Sequence, residues 1–354
     1  MKISELRKNL DTLDDKILDL LNKRAEYAES IGKQKKTDNL ALHDIKREME
    51  ILSRLNKLNK GPLTKDHIKI LFTEIFSVCL SLQRHTKVVY LGPQATYTHI
   101  AAVSCFGKSH EYIPVKTIND VFTEVEKDAA DFGVVPVENS TEGMVNYTLD
   151  VFMESDLNIY AEIFMDIHHN LVSKSKKLSE VKKIFSHTQP LGQCRSWIEK
   201  NLPKARIIEV DSTSLAAERA SKTEHSAAIA SDVAAFNYHL GILAERIQDT
   251  VQNMTRFFVI SKQTSEDTDK SKTSILFSIK DRVGALYDML IPFREAGINL
   301  TKIESRPTKK KAWEYVFFID FIGHKDDKKV IKALKALGSQ CLFLKILGSY
   351  PARD

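Results

Sequence analysis

The chain has 354 residues, 43% of them hydrophobic, which is enough for two or three packed domains. Its 52 Lys and Arg exceed its 47 Asp and Glu without forming a long basic block, which argues against a nucleic-acid-binding protein and fits small anionic ligands better. Residues 1–30 contain no uninterrupted apolar core, and nowhere do about 18 apolar residues run together. We therefore predict neither a signal peptide nor a membrane span, and we expect a cytoplasmic protein.

The cysteines Cys79, Cys105, Cys194 and Cys341 are far apart and match no metal-ligand spacing. We predict that they are buried free thiols without redox chemistry. The sequence indicates no metal site and no organic cofactor.

Residues 1–86 predict an all-helical domain of three helices, separated near Asp38-Asn39 and at Gly61-Pro62, with Thr64 as a helix N-cap. The first helix has an apolar seam with heptad spacing, made of Ile3, Leu6, Leu10, Leu13, Ile17, Leu20, Arg24, Tyr27 and Ile31. Arg24 interrupts this seam with a charge. Because a guanidinium cannot lose its proton, an unpaired Arg is strongly unfavourable in a buried seam. The pattern therefore predicts an anionic ligand inside the helical bundle.

The predicted length of the first helix, from about Ser4 to Lys36, is roughly 50 Å. Arg7 and Arg24 then lie about 25 Å apart, too far for one small ligand, whereas Lys35 lies only about 16 Å beyond Arg24. Arg7 must serve a second site or a second subunit. Two short helices also leave part of the seam uncovered, so we predict an intertwined homodimer, with a tetramer left open.

The second and third helices add polar residues in line with core positions. Asp44, Arg47 and Glu48 share one face of the second helix, although the same spacing is typical of an exposed ion-pair cluster. Gln83 continues the stripe of Cys79 on the third helix, and its alternative interpretation is a surface residue near a helix end.

Residues 1–86 resemble the all-helical chorismate mutases, through Leu6-Arg7, Leu13-Asp14, Lys23-Arg24, Gly32-Lys33-Gln34-Lys35, Asp44-Ile45-Lys46-Arg47-Glu48 and Gln83. The resemblance implies that Arg24, and Arg7 from the partner chain, hold the two carboxylates of chorismate. By the same resemblance, Arg47 supports the anionic side of the pocket, and Lys35 and Gln83 donate hydrogen bonds to the ether oxygen. Asp44 and Glu48 are implied to orient the substrate hydroxyl and the basic groups of the site. Cys79 stands where the best-known members have a Ser next to the substrate. A pericyclic rearrangement needs a compact bound conformer and well-aimed donors, and no nucleophile.

Residues 87–262 alternate short β-rich runs with helical stretches, which predicts an α/β domain with largely parallel strands. Polar clusters follow the predicted strands, where open α/β sheets bind ligands. They are 92–98, 138–141, 186–190, 211–214 and 253–257. Each cluster alone is more typical of an N-cap or a turn.

Together the clusters resemble prephenate dehydratase, most specifically through Asn253-Met254-Thr255-Arg256-Phe257. The resemblance implies two lobes like type II periplasmic binding proteins, with the active site in the cleft. It implies that Thr255 assists departure of the ring hydroxyl and that Arg256 stabilises the site or pairs with a carboxylate. The other expected cleft residues are Thr96, Asn139, Ser140, Thr141, His187, Gln189, Ser212 and Thr213. His187 has a structural alternative as a turn residue, and Ala95 and His99 replace a Gly and a Glu of many relatives.

The polar stretch Ser261 to Lys272 predicts a linker. Residues 273–354 then show the order βαββαβ of a ferredoxin-like domain, with a helix opening near Gly284 and a strand partner around Trp313 to Phe321. This segment resembles the ACT domains through 282–286, 297–300 and 304–307. Beside a dehydratase the resemblance implies feedback inhibition by phenylalanine, bound by Val283, Gly284, Ala285, Leu286, Asn299 and Leu300.

The sequence thus predicts a multidomain protein with an all-α domain (1–86), a two-lobed α/β domain (87–262) and a ferredoxin-like ACT domain (273–354). Its predicted function is bifunctional, from chorismate to prephenate and then to phenylpyruvate in phenylalanine biosynthesis. One alternative is a dehydratase whose helical domain only dimerises. The other is a non-enzymatic amino-acid-sensing receptor or regulator, against which the missing export signal and DNA-reading helix argue.

Overall fold

A computed structural model describes residues 2–38, 40–41, 43–250, 252–279, 282–307 and 315–352. The chain forms two compact units: Met1–Lys87 with Val103–Glu111, and Val88–Ala102 with Tyr112–Asp354. Within the described ranges, no helix combines the length and apolarity needed to cross a bilayer. None of the four cysteines is in a disulfide, and Cys79 and Cys194 are buried as predicted, whereas Cys105 and Cys341 are only half-buried.

The first unit is helical, as predicted. Its helices are α1 (Ile3–Thr37), α2 (Ile45–Leu58) and α3 (Lys65–Gln83). Thr64 is confirmed as the N-cap of α3, and its hydroxyl accepts the amide of His67, whose ring accepts the amide of Thr64 in return. The expectation that Asp44 lies on a face of the second helix is wrong. Asp44 is the N-cap of α2, where its carboxylate accepts the Arg47 amide at 2.9 Å.

The segment before the terminal domain is built around two sheets. The first has the order β2-β1-β3-β11-β5, with β4 added to β3. Its strands are β1 (Lys87–Leu91), β2 (Glu111–Val115), β3 (Phe132–Asn139), β4 (Gly143–Met144), β5 (Asn158–Asp166) and β11 (Met254–Ser261). The helices between them are α4 (Tyr97–Phe106), α5 (Ile118–Glu126) and α6 (Asn146–Glu154).

The second sheet has the order β10-β6-β9-β7-β8 and forms the second lobe. Its strands are β6 (Asn170–Ser173), β7 (Lys183–Ser186), β8 (Arg206–Glu209), β9 (Ser226–Ala230) and β10 (Gly241–Ala244). Its helices are α7 (Thr188–Gln193), α8 (Arg195–Asn201), α9 (Thr213–Lys222) and α10 (Asp232–Asn237). The prediction of largely parallel strands is wrong, because β11 runs antiparallel to β3 and β5, and β6 antiparallel to β9 and β10. Parallel pairs include β1 with β3, and β7 with β8 and β9.

The terminal domain has the predicted βαββαβ order. Its elements are β12 (Ser271–Ile279), α11 (Ala285–Glu295), β13 (Leu300–Pro307), β14 (Tyr315–Ile322), α12 (Lys328–Gly338) and β15 (Cys341–Pro351), in the sheet order β13-β14-β12-β15. The predicted partner strand falls on β14, and Trp313 lies outside the described residues. Leu276, Phe318 and Tyr350 join Phe258 in one apolar cluster, so the first lobe and the terminal domain share a core.

The segment predicted as a linker, Ser261 to Lys272, is shorter in the structure, because β11 ends at Ser261 and β12 already begins at Ser271. Both serines are buried, as are Ser265 and Lys272. Hydrogen bonds compensate the burial of Ser261, Ser271 and Lys272, whereas the buried Ser265 hydroxyl has no partner among the described residues. The Ser271 hydroxyl donates to Asp267, and the Lys272 ammonium lies 2.7 Å from Glu162.

Candidate active sites and effector cavity

Arg24 lies on the face of α1 that packs against α3. Its guanidinium donates to Cys79 Sγ at 2.8 Å and stands 5.3 Å from the centre of the Phe76 ring. Arg24 is only half-buried, although Cys79 is 7% exposed. A thiol and an aromatic face orient the guanidinium without neutralising it, so its charge remains available to an anion.

Gln83, at the end of α3, packs against a helical glycine of α1. A Cβ added at Gly32 would lie 2.6 Å from Gln83 Cγ, so only glycine allows the amide to occupy this position. Lys36 Nζ donates to the carbonyl of Gln83 at 3.0 Å, which fixes the end of α3 beside the turn of α1 that carries the half-buried Lys35. Gln83 Oε1 is buried without a hydrogen-bond partner in the described part of the chain.

The charged residues of α2 do not form the cluster that their spacing predicts. Asp44 is occupied as a cap, and the exposed Arg47 donates to Glu50 at 2.9 Å. Glu48 lies 3.5 Å from the ring of the buried His43. Arg47 therefore lies on the solvent side of α2, where it pairs with Glu50.

Arg7 is exposed and belongs to the same unbroken helix as Arg24. Seventeen residues of continuous helix separate them by about 25 Å, as the sequence predicts. The apolar seam between them is also exposed, with Ile17 at 53% and Leu20 at 64%. One chain therefore supplies Arg24 to the α1–α3 face, while its own Arg7 lies far from it.

The second candidate site is a cleft of about 510 Å³ between the two lobes. Of the predicted residues, the cleft is lined by Thr96, Asn139, His187, Gln189, Ser212, Thr213 and Thr255. Ser140 and Thr141 are exposed beside the cleft without lining it. The Ser140 hydroxyl accepts the amide of Met254, and the Thr141 hydroxyl donates to Asn139 Oδ1 at 2.6 Å, so both support neighbouring backbone and side chains.

Asn139 and Thr255 form the centre of a hydrogen-bonded network at the ends of β3 and β11. The Asn139 amide donates to Thr255 Oγ1 and to Asn253 Oδ1, both at 2.8 Å. Asn253 in turn donates to Gln193 Oε1 at 2.9 Å, and His169 Nε2 lies 2.8 Å from the same oxygen. Because Thr255 Oγ1 accepts from the amide, its hydroxyl proton is left for a group in the cleft.

Sequence reasoning did not assign Gln193 and His169 to the site. No motif in the sequence marks either residue. His169 is 2% exposed, and burial lowers the pKa of its ring, so the imidazole is neutral and donates from Nε2 to Gln193. The sequence feature that could have indicated Gln193 and His169 is that both are polar residues next to buried apolar runs.

Two predicted cleft residues also cap helices that begin at the cleft. His187 is the N-cap of α7 and its Nδ1 accepts the amide of Gln189, while the Ser212 hydroxyl accepts the amide of Leu215 at the start of α9. Both roles agree with the alternative interpretations of these loops as caps. Thr213 follows at the first turn of α9, so polar groups of that helix face the cleft.

Arg256 does not line the cleft. It is 5% exposed, and its guanidinium lies 2.7 Å from Glu162 and 2.6 Å from Asp320 of the terminal domain. As the neighbour of Thr255 in a strand, it points to the opposite face of the sheet. The expectation that Arg256 contacts the substrate is therefore corrected, and the carboxylates with which it pairs belong to the protein.

The two departures from the dehydratase pattern lie close together, Ala95 in the loop after β1 and His99 in the first turn of α4. Ala95 is buried in a left-handed conformation with φ of 63°, a conformation that favours glycine. The Ala95 amide donates to His99 Nδ1 at 3.1 Å, and burial lowers the pKa of His99, which keeps this acceptor neutral. The hydrogen bond thus stabilises a turn that an alanine disfavours.

The terminal domain contains a cavity of about 260 Å³ at the start of α11. Three of the predicted effector-binding residues, Gly284, Ala285 and Leu286, line it, and Gly284 has a left-handed φ of 79°. The other three predicted residues, Val283, Asn299 and Leu300, do not line the cavity. Val283 and Asn299 are exposed, and Leu300 packs on the domain core. The lining residues that the sequence did not indicate are Ile279, Arg282, Tyr287, Tyr315 and Phe317.

The geometry agrees with comparisons to known proteins. Models of three families match in order: chorismate mutase type II over residues 6–84, prephenate dehydratase over 88–265 and the ACT domain over 273–339. A bifunctional chorismate mutase/prephenate dehydratase from Aquifex aeolicus is 53% identical over 354 residues, covering 99% of this chain and 98% of the relative. One of the same description from Pseudomonas aeruginosa is 43% identical over 357 residues, with coverage of 99% and 98%.

A solved prephenate dehydratase from Arthrobacter aurescens, in complex with L-Phe, superposes with a TM-score of 0.70. It is 34% identical and covers 75% of this chain and 90% of its own. The three matched segments coincide with the helical unit, the two lobes and the terminal domain described above. The chain therefore belongs to the family of bifunctional chorismate mutase/prephenate dehydratases and is an enzyme with both activities.

Proposed function

We propose that chorismate binds on the α1–α3 face, with Arg24 pairing with one of its carboxylates. Lys35 and Gln83 donate to the ether oxygen, where negative charge develops as the bond breaks. The rearrangement transfers no proton, so holding the folded conformer and stabilising this charge are sufficient. The support for this proposal is the guanidinium of Arg24, held by Cys79 and Phe76 with its charge unpaired by either.

The second carboxylate is bound by Arg7 of a second copy of the chain in a homodimer. The exposed apolar seam of α1 supports this association, since six of its residues, from Ile3 to Leu20, are 45–70% exposed in one chain. Burying them against the same helix of a partner brings Arg7 of one copy toward Arg24 of the other. The mutase site is then shared by two chains.

In the cleft, Thr255 donates a hydrogen bond to the ring hydroxyl of prephenate. As the carbon–oxygen bond breaks, the carboxyl group at the same ring leaves as carbon dioxide, and its bonding electrons complete the aromatic ring. The departing oxygen takes one proton and leaves as water, and Thr255 or a water bound to it delivers that proton. The single observation that carries this proposal is the hydrogen bond from Asn139 to Thr255 Oγ1, which directs the hydroxyl proton away from Asn139.

The terminal domain binds phenylalanine and inhibits dehydration. The cavity at Gly284 offers the start of α11 to a carboxylate and apolar side chains to a ring. The Arthrobacter aurescens relative in complex with L-Phe supports this choice of effector. Inhibition at a distance requires two states of the protein that bind phenylalanine differently.

Separate assays of the two reactions test the proposed sites. We expect Arg24→Ala to lower mutase activity by more than about 100-fold and to leave dehydration of supplied prephenate unchanged. Thr255→Ala does the reverse, while Thr255→Ser, which keeps the hydroxyl, retains most of the dehydratase activity. Loss of both activities in a folded Arg24→Ala protein would contradict independent sites. Products formed from chorismate, with and without phenylalanine, then measure the inhibition.

A further inference from the structure

Two ion pairs connect the terminal domain to the strands that carry Asn139 and Thr255. Lys302 Nζ lies 2.5 Å from Glu138 Oε1, the residue before Asn139 on β3. Asp320 Oδ2 lies 2.6 Å from Nη1 of Arg256, the residue after Thr255 on β11. Each cleft residue therefore has a direct neighbour in its own strand that is held by the terminal domain.

The strand register places the two cleft residues opposite each other and their two charged neighbours opposite each other. Across β3 and β11, Asn139 is opposite Thr255, and Glu138 is opposite Arg256. Successive side chains of a strand point to opposite faces, so the pair that faces the cleft has the charged pair on its back. The register shifts directly after Arg256, and such a bulge sets the direction of the side chains beside it.

The terminal domain presents a matching pair. Lys302 on β13 is opposite Asp320 on β14. A positive and a negative side chain thus lie side by side in the terminal sheet. They pair with the negative Glu138 and the positive Arg256 of the cleft sheet. Two complementary contacts at adjacent positions fix both the separation and the relative rotation of the two strand pairs.

The buried charges around Arg256 hold its guanidinium in one position. Glu162, at 1% exposed, accepts from Arg256 Nε at 2.9 Å and lies 2.7 Å from Lys272 Nζ, and Tyr350 accepts from Arg256 Nη2 at 3.0 Å. With Asp320, this buried network contains two positive and two negative charges. Separating any of them in a low-dielectric interior is costly, so movement of the terminal strands moves Arg256 with them.

We propose that Glu138 and Arg256 are positioning residues for dehydration, and that Lys302 and Asp320 hold them so that the cleft amide and hydroxyl are aimed at the substrate. The proposal rests on the functions proposed above for Asn139 and Thr255. A shift of the terminal domain pulls on both strands at the residues adjacent to the reacting groups. The two ion pairs are then the contacts through which the effector domain controls turnover.

Lys302→Met in the full-length enzyme tests the proposal at the less buried pair, where the side chains are 23% and 27% exposed and folding is expected to survive. We expect kcat for prephenate to fall by about tenfold, because small misplacements of reacting groups are costly, with KM changed by less than about twofold. Phenylalanine inhibits this variant more weakly, mutase activity is unchanged, and Lys302→Arg restores most of kcat. Glu138→Gln combined with Lys302→Met is no worse than either alone.

Arg306→Met is the matched control. Arg306 pairs with Asp150, so the variant also removes an ion pair between the terminal domain and the first lobe, with side chains 15% and 19% exposed. Asp150 belongs to α6 and not to a cleft strand, and we expect kcat to be unchanged. Equal losses in Lys302→Met and Arg306→Met, or a change in KM alone, would overturn the positioning role. Full activity in Asn139→Ala would instead refute the proposed site itself, which separates the two failures.

Discussion

The helical unit and the cleft lobes contrast in how much of an active site one chain supplies. In the helical unit, Arg24 is oriented by α3, but Arg7 lies at the far end of α1 and the seam between them is exposed. In the cleft, by comparison, Asn139 already donates hydrogen bonds to both Asn253 and Thr255 within one chain.

This contrast implies that the two activities depend differently on association. If the mutase site is shared between two chains as proposed, only the assembled dimer binds the dianion, and mutase activity follows the oligomeric state. The hydrogen-bonded network of the cleft is formed within its own unit, and we propose above that contacts with the terminal domain control it.

Ile17→Asp is expected to have the largest effect, because it places a charge in the middle of the exposed seam of α1. The dimer of helical units weakens, and mutase activity falls by more than about 100-fold at assay concentrations, while dehydratase activity is retained. Ile17 is about 10 Å along the helix from Arg24, so the substitution acts on association and not on the pocket itself.

Asn22→Asp is the matched control for Ile17→Asp, since it adds the same charge to the same helix at an exposed position outside the seam. Mutase activity at several protein concentrations, with sedimentation of the same samples, distinguishes the two variants. Undiminished mutase activity in Ile17→Asp would show that one chain is sufficient, and the contrast drawn here would fail.

Gly32→Ala is expected to have a smaller effect, confined to one donor of the mutase site. The new Cβ would lie 2.6 Å from Gln83 Cγ, so the Gln83 side chain must move. Alanine is a better helix former than glycine by about 1 kcal/mol, so helix stability should not fall. We expect mutase kcat to fall by about tenfold, measured together with the thermal midpoint.

A double-mutant cycle provides the control for Gly32→Ala. If the substitution acts through Gln83, it has no further effect in a Gln83→Ala background. Additive losses in the two variants would mean that Gly32 serves α1 in another way.

The sequence predicted the local features of the helical unit because they depend on residues close together in the chain. The three helices, the Thr64 cap and the separation of Arg7 from Arg24 all follow from periodicity and helix rise. Asp44 was misassigned because an aspartate before an apolar run is equally compatible with the first helical turn and with the cap, which differ by one residue.

The cleft lobes were predicted less well because their organisation is set by distant pairings. β11 enters the first sheet only after the chain has built the whole second lobe, so its antiparallel direction has no local signal. For the same reason Arg256 seemed a substrate ligand in its motif, whereas Glu162 and Asp320, far away in sequence, neutralise it. The buried Lys272 was likewise assigned to a linker, since composition does not reveal its carboxylate partner.

The smallest expected effect is the response of the cleft lobes to acid. Burial lowers the pKa of His169 and of His99 below the usual value of 6.5, so below that pH the unfolded chain binds protons that the folded chain does not. The stability that these rings contribute is full above pH 6.5 and is lost as the pH falls toward their folded pKa values. We expect the thermal midpoint to drop by a few degrees between about pH 7.5 and 5.5.

His169→Gln, which can still donate to Gln193, should flatten this dependence, while His85→Gln, at an exposed position, serves as the control. Because His169 Nε2 and Asn253 share Gln193 Oε1, dehydratase activity should decline with the midpoint as His169 is protonated. A midpoint equally sensitive to acid in both variants would place the titrating group outside this network.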